Sequence, residues 1–412
     1  MHSKPLVLGI DLGTSGIRIA VLNTNEELIY QASDNYIYNF ESGKCWLKSC
    51  TKLIREIPEN IKKNILACSI DGTSGTLIAC AKNGNSIGNA IPYYKLDPNA
   101  KELLIKQFPE EEEAINLNSS LIRAQQLRTL YGKKILIRHQ ADWVSGWLLN
   151  CWEFGEEGNN LRLGWDLVNK KWDTLIYKMS LEEFLPKIVP SGSNYGCISK
   201  PLAHQLGLPK NLQIIAGTTD SNAAVIAVNP KEDEGITVLG STIVVKGFAK
   251  NPIKSPGISN HLVGGKWIVG GASNAGGAVL KKFFSEEILK ELSRQINPET
   301  TSGLYFIPLP FKGERFPVND PNLKPILGPR PTSDSLYLHG LFEGLARVEA
   351  QGWAKLTSLG INRPKKIITI GGGARNPQWR RIREKLIGVP ITSSTKQPAE
   401  GVARIAIQAI EK

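Results

Sequence analysis

Residues 9–23 read GIDLGTSGIRIAVLN. An apolar run ends in an acid, a turn of glycines and hydroxyl residues follows, and a second apolar run resumes. That is the pattern of strand, tight turn, strand. Gly13 and Gly16 let the turn close with backbone N–H groups pointing outward, and Thr14 and Ser15 add hydroxyl donors. Such a set can cradle phosphate oxygens. Asp11 ends the first strand beside the turn, where a carboxylate is suited to hold Mg²⁺ through water. Taken alone, the segment is equally an ordinary hairpin. Residues 65–80, ILACSIDGTSGTLIAC, write nearly the same turn again without the extra Leu12. They read as a second hairpin of the same sheet, with Asp71 and Ser74 at its turn.

Three later segments extend the pattern. In AGTTDSNAA (216–224) Asp220 falls at a helix N-terminus, where the helix dipole and free N–H groups favour its ionised form. There it either caps the helix or takes a hydroxyl proton during phosphoryl transfer. VLGSTIVV (238–245) sets Gly240, Ser241 and Thr242 between two apolar runs, as a plain hairpin or a second phosphate turn. In IGGGARNP (370–377), Gly371, Gly372 and Gly373 allow a flat ligand such as adenine to approach the backbone. Asn376 could bond the ligand's edge, and it also reads as an N-cap, with Pro377 at the first helical position and Gly388 after the last turn. A dinucleotide fold would need GxGxxG and an acid about 20 residues on. Asn376 replaces the third glycine, GVPITSS (388–394) offers no acid, and no GxxxxGK[ST] occurs.

With 412 residues, two domains are the default. The composition, 41% hydrophobic and 21% charged, is that of an ordinary soluble chain. No apolar run approaches the ~20 residues of a membrane span, and the apolar piece near the N-terminus is too short for a signal peptide, so a cytoplasmic protein is expected. The six cysteines form no CxxC pair and the five histidines are scattered, which argues against zinc and against a disulfide framework. The net charge of +12 is spread along the chain. Its densest cluster, QWRRIREK (378–385), reads as a solvated helix face, with Trp379, Ile382 and Leu386 as the apolar positions. Nucleic-acid binding would rest on net charge alone and is not expected.

The rest of the chain reads as two α/β halves, each opening on a strand-turn-strand. QADWVSGWLLN (140–150) is a helix whose Trp143, Val144, Trp147 and Leu148 form a buried stripe. Residues 308–334 hold seven prolines and read as irregular loop. A long amphipathic helix with Leu341, Leu345 and Val348 on one face follows, then a strand, the glycine turn, a helix, and a final helix AEGVARIAIQAI (399–410).

Each motif is weak alone, but their order is specific: phosphate turn, acid at a helix start, second phosphate turn, adenosine glycines. That order resembles the actin-like ATPase superfamily, and within it the FGGY carbohydrate kinases. GIDLGTSGIRIAVLN, AGTTDSNAA and VLGST are similar to the family's first phosphate, catalytic-base and second phosphate motifs. ASNAGGAVLKKF (272–283), PLPFKGERFP (308–317) and GGGARNPQWRRI (371–382) are similar to further family blocks in the same sequence order. SIDGTSGT (69–76), HQADWVSGWLL (139–149) and NNLRLGWD (159–166) are similar to the compact cyanobacterial and plastid group, once called xylulokinase-like, that acts on D-ribulose.

The resemblance implies an α/β protein of two ribonuclease-H-like domains with a central cleft, closing over MgATP and a sugar. The expected boundaries are 1–228, 229–398 and a closing helix at 399–412. It implies ATP-dependent phosphorylation of a ketopentose, with D-ribulose first and D-xylulose, L-ribulose or glycerol as alternatives. A structural ATPase of the actin or heat-shock type is the rival from another class. Asp220 is the implied catalytic base. Asp11, Asp71, Ser74, Asp97 and Asp220 are the implied sugar contacts, and Asp11 the metal-binding residue. Gly13, Thr14, Ser15, Gly240, Ser241, Thr242, Gly276, Gly372, Gly373 and Asn376 are the implied ATP contacts. Partners would be a small sugar and MgATP, with no membrane or nucleic acid, in a monomer or homodimer. Two positions depart from the family. KLDPNA (95–100) has Asn99 where Arg is expected after Asp97, which bears on the choice of sugar, and Arg404 interrupts the small residues of the final helix.

Overall fold

The computed structural model describes residues 5–36 and 39–411 and divides the chain into two compact units. The first takes the described chain up to Ala227, the strip Leu262–Gly265 and the stretch from Lys396 onward. The second takes Val228–His261 and Lys266–Thr395.

In the first unit β1 (Leu6–Leu12), β2 (Gly16–Asn23) and β3 (Leu28–Asn35) precede helix α1 (Gly43–Glu56) and β4 (Ile65–Gly72). There follow β5 (Leu77–Cys80), α2 (Pro98–Gln107), α3 (Ser119–Tyr131), β6 (Leu136–His139) and α4 (Gln140–Leu149). After short elements come β7 (Asn194–Cys197), β8 (Gln213–Thr219) and α5 (Asp220–Ala227). The second unit holds β9 (Glu234–Leu239), β10 (Ile243–Ala249), β11 (Ile258–Val263) except its last two residues, β12 (Lys266–Ala272), α6 (Gly277–Leu280) and α7 (Glu286–Arg294). It continues with α8 (Asp334–Ser358), β13 (Lys366–Ile370), α9 (Pro377–Ile387) and β14 (Ile391–Ser393), after which α10 (Pro398–Ile410) ends the described chain.

The two main sheets repeat one plan. In the first unit the order is β7-β8-β4-β1-β2-β3, with β1–β2–β3 antiparallel and β4 and β8 added in parallel. In the second it is β11-β12-β10-β9-β13-β14, with β12–β10–β9 antiparallel and β13 and β14 parallel. The central strand β1 is buried along its whole length, as a strand covered on both faces must be, and its run LVLGIDL is correspondingly apolar. The edge strand β3 alternates exposed and half-buried residues beyond its first two positions.

Helix α10 belongs to the first unit and packs on β1, β4 and α5. Glycines set these spacings: a Cβ on Gly9 would lie 1.9 Å from the Ala399 carbonyl oxygen, and one on Gly401 would lie 1.9 Å from that of Ala223. Arg404, which breaks the run of small residues, is buried and ion-paired to Glu26.

The second copy of the turn departs from its reading. β1 and β2 form the expected hairpin, but β4 does not pair with β5. β4 stays in the main sheet between β1 and β8, while β5 leaves to pair with β6 in a separate two-stranded sheet. Long-range bonds redirect the chain. Gln140 Oε1 accepts from the Thr73 N–H at 3.1 Å and its hydroxyl at 2.7 Å, and Gly75 takes a left-handed φ of 92°.

In the basic cluster, Arg381 and Lys385 are exposed, but Arg383 is 1% exposed and ion-paired to Glu349. Its guanidinium also reaches Thr369 Oγ1 at 2.9 Å. Arg383 lies one turn beyond Trp379 on the inward side, so the cluster is not a uniformly solvated face. Leu386, by contrast, is 42% exposed.

Candidate active site

Neighbouring strands of the first unit carry a carboxylate cluster at their C-terminal ends. The register sets Asp11 of β1 opposite Asp71 of β4, and Asp71 opposite Thr218 of β8, two residues before Asp220. Asp11 and Asp71 are both buried. Burial pushes the Asp71 carboxyl far above the usual range, and the charges of Asp11 and Asp220 push the same way. Asp11 is also raised by burial, against the pull of Arg18, whose Nη1 lies 3.2 Å from Asp11 Oδ2. Neither Asp71 oxygen meets a hydrogen-bond donor among the described residues. Asp220 is half-buried and opens α5, as expected, and its Oδ1 accepts the Ser221 N–H at 2.6 Å.

The turn beyond Asp11 exposes Thr14 and Ser15 at its tip, with Gly13 tucked against Arg18. A Cβ at Gly13 would stand 3.2 Å from the Arg18 guanidinium. Arg18 was not singled out in the sequence, although antiparallel pairing with β1 places it opposite Asp11. Ser74, half-buried, sits in the turn that Thr73, Thr76 and Gln140 hold. Asp97 caps α2: its Oδ1 accepts from the Asn99 and Ala100 N–H groups, and its Oδ2 from Gln126 at 3.0 Å. A sugar would therefore compete with a helix cap for that carboxylate.

In the second unit a cavity of about 1100 Å³ gathers Gly240, Ser241, Gly277, Gly372, Gly373 and Asn376, with Lys281, Lys290, Arg294 and Arg375 also on its wall. The turn 240–242 is fixed from behind, since Gly277 N–H donates to the Gly240 carbonyl and Ala278 N–H to that of Ser241. Gly276, with φ 159°, backs directly onto Ser241 and Thr242; neither it nor Thr242 is on the cavity wall. The three glycines 371–373 differ in purpose. A Cβ on Gly371 would strike Leu239, and one on Gly373 would strike Trp379 and Leu239, whereas one on Gly372 would meet open space. The protein's own packing thus does not require glycine at 372, which lines the cavity. Asn376 is an N-cap, its Oδ1 accepting from the Trp379 N–H at 2.9 Å while Nδ2 donates to Ser293 Oγ at 2.8 Å. One amide hydrogen is left for a ligand.

Residues 235–410 match the family model for the C-terminal domain of the FGGY family of carbohydrate kinases. Over those residues the chain is similar to the FGGY carbohydrate kinases. The chain is 22% identical to a xylulose kinase of Staphylococcus xylosus, over 97% of its own length and 90% of the other's. Its fold matches a ligand-bound xylulose kinase from Lactobacillus acidophilus, with a TM-score of 0.82 at 17% identity, covering 99% of this chain and 90% of that one. The glycerol kinase of Plasmodium falciparum with ADP matches equally well in fold, with a TM-score of 0.82 at 18% identity over 99% and 90% of the two chains. The fold is thus the two-domain actin-like ATPase fold. Among the described residues, no helix is long and apolar enough to cross a membrane.

Proposed function

We propose that this kinase transfers the γ-phosphate of ATP to the terminal hydroxyl of a ketopentose, D-ribulose first. The carboxylate cluster carries the reading: Asp220 opens a helix two residues beyond the sheet position that neighbours Asp71. Its place at the helix start and the Ser221 N–H favour the ionised form, which can accept a proton. The hydroxyl oxygen bonds to the γ-phosphorus, the bond to the β–γ bridging oxygen breaks, ADP leaves, and Asp220 takes the proton.

Magnesium fits the first unit. Two buried carboxyls lie side by side, and one has both oxygens without a donor. Asp11 would hold the ion through water, and the ion would offset phosphate charge. Among the described residues no group of three or more His, Cys, Asp or Glu could hold a metal by itself, in keeping with an ion delivered with ATP. Gly13, Thr14 and Ser15 of the first unit and Gly240, Ser241 and Thr242 of the second are the proposed phosphate contacts. Gly276, Gly372, Gly373 and Asn376 are the proposed nucleotide seat.

D-ribulose rests on the resemblance of SIDGTSGT, HQADWVSGWLL and NNLRLGWD to the compact group. D-xylulose is the second reading, favoured by the relatives named xylulose kinase. A coupled ATP-consumption screen over pentuloses, hexuloses, aldoses and polyols decides between them. The expected result is turnover stimulated by pentuloses, with the highest kcat/KM for D-ribulose; a preference for D-xylulose establishes the second reading, and no stimulation by any sugar overturns both. Asp220→Asn is expected to lose roughly 10²–10⁴-fold in kcat while still binding ATP. Near-normal turnover by that variant removes the role given to Asp220.

A further inference from the structure

Helix α3 carries a guanidinium that the motifs do not include. Arg123 is 2% exposed, yet every acceptor it meets is neutral. Its Nε donates to the carbonyls of Pro92 and Lys95, at 3.1 and 2.9 Å. Nη1 donates to the Gly75 carbonyl and to Ser119 Oγ, both at 3.3 Å, and Nη2 donates to the Tyr93 carbonyl. Burial pushes Arg123 down to about 10, still charged at neutral pH. A buried cation bonded only to neutral acceptors is costly to place, and its fork is well suited to fixing several carbonyls at once.

The carbonyls come from two loops. One is the turn 73–76, which holds Ser74. The other is 92–95, whose Tyr93 N–H also bonds Thr76 Oγ1 at 3.2 Å. The same helix adds Gln126, one turn on, whose amide holds Asp97. Ser120 Oγ would lie 3.0 Å from a Cβ on Gly75, so the helix backs directly onto the turn. Asn99 lies in α2, just after the 92–95 loop, and Arg123 of α3 holds that loop by its carbonyls.

We propose that Arg123 is the positioning residue of the acceptor site, tying the Ser74 turn to the 92–95 loop through Gly75, Pro92, Tyr93 and Lys95. The proposal rests on Ser74 being a sugar contact. Lysine keeps the charge but lacks the fork, so Arg123→Lys is expected to raise the acceptor KM about tenfold or more while the ATP KM stays within about twofold. For Arg123→Ala, added guanidinium is expected to restore part of the acceptor affinity. Equal changes in both KM values, or no change in either, overturn the proposal.

Hydrogen exchange read by mass spectrometry needs no substrate and separates this idea from the functional reading. In Arg123→Lys, peptides covering 73–76 and 92–97 are expected to exchange faster than in the wild type, with β1 and β9 peptides unchanged. Unchanged protection in both loops overturns the clamp even if the kinase proves active. Faster exchange with no sugar-stimulated turnover in the wild type retains the clamp and overturns its link to a sugar.

Discussion

Asp71 and Ser74, in the second copy of one repeated motif, stand in different surroundings. The buried Asp71, pushed toward its neutral form, lies beside Asp11 at the sheet end, while Ser74 stands half-buried in the turn that leads to β5 in a separate sheet. Ser74→Ala is expected to raise the sugar KM about fivefold, the weight of roughly one hydrogen bond, and to leave the ATP KM nearly unmoved. A larger effect on the ATP KM would remove the sugar role. The letters of the first turn were enough to read it, because β1 and β2 are adjacent in sequence and pair with each other. The second could not be read that way, because the partner that satisfies Thr73 is Gln140, far along the chain. Arg383 was legible in principle: four residues beyond Trp379, it had to share its inward face. What the sequence did not show was Glu349, the buried charge that receives it. Asn376 was readable as a cap from the proline that follows it, and that cap now occupies its oxygen.

At the scale of elements, the junction of β6 and α4 concentrates buried polar groups. Burial and the Arg123 charge push His139 down to about 3, and neither of its ring nitrogens has a partner among the described residues. An unfolded histidine takes a proton below about pH 6.5, so the folded state loses stability as pH falls from there toward 3. Asp142, in the first turn of α4, works in the opposite direction. Its carboxyl is raised by burial to about 7, so stability falls as pH rises from about 4 to 7. His139→Leu is expected to remove the acid-side loss below pH 6.5, so that the opposing Asp142 slope is uncovered and stability rises more steeply than in the wild type as pH falls from 6.5 toward 4. Denaturant titrations at several pH values check this, and an unchanged acid slope would show that His139 is not the group responsible. The contact of α5 with α10 gives a second test. A Cβ at Gly401 cannot fit against the Ala223 backbone, so Gly401→Ala is expected to cost about 1–3 kcal/mol of stability and to lower kcat by shifting the helix that Asp220 begins. Denaturation and steady-state kinetics on one preparation read both; a variant as stable as the wild type would mean that the two helices slide apart freely.

For the whole molecule, the duplicated sheet plan was legible because each half begins with a local hairpin and the antiparallel strands follow one another closely. The parallel strands were harder, since β4, β8 and β13 are joined to their partners only across long insertions. The placement of α10 was beyond the pattern of letters, since nothing in AEGVARIAIQAI marks which sheet it covers; Gly9 and Gly401 explain it only once both backbones are seen. That placement has a consequence for how the chain is made. A ribosome delivers the second unit as one nearly continuous stretch, finished before the last helix emerges, while the first unit waits with the face over Gly9 uncovered and the helix behind Asp220 without its neighbour. The unit that carries Asp220, the proposed proton acceptor, is begun first and covered last, so a nascent chain can hold the formed cavity of the second unit before the helix that Asp220 opens has its neighbour.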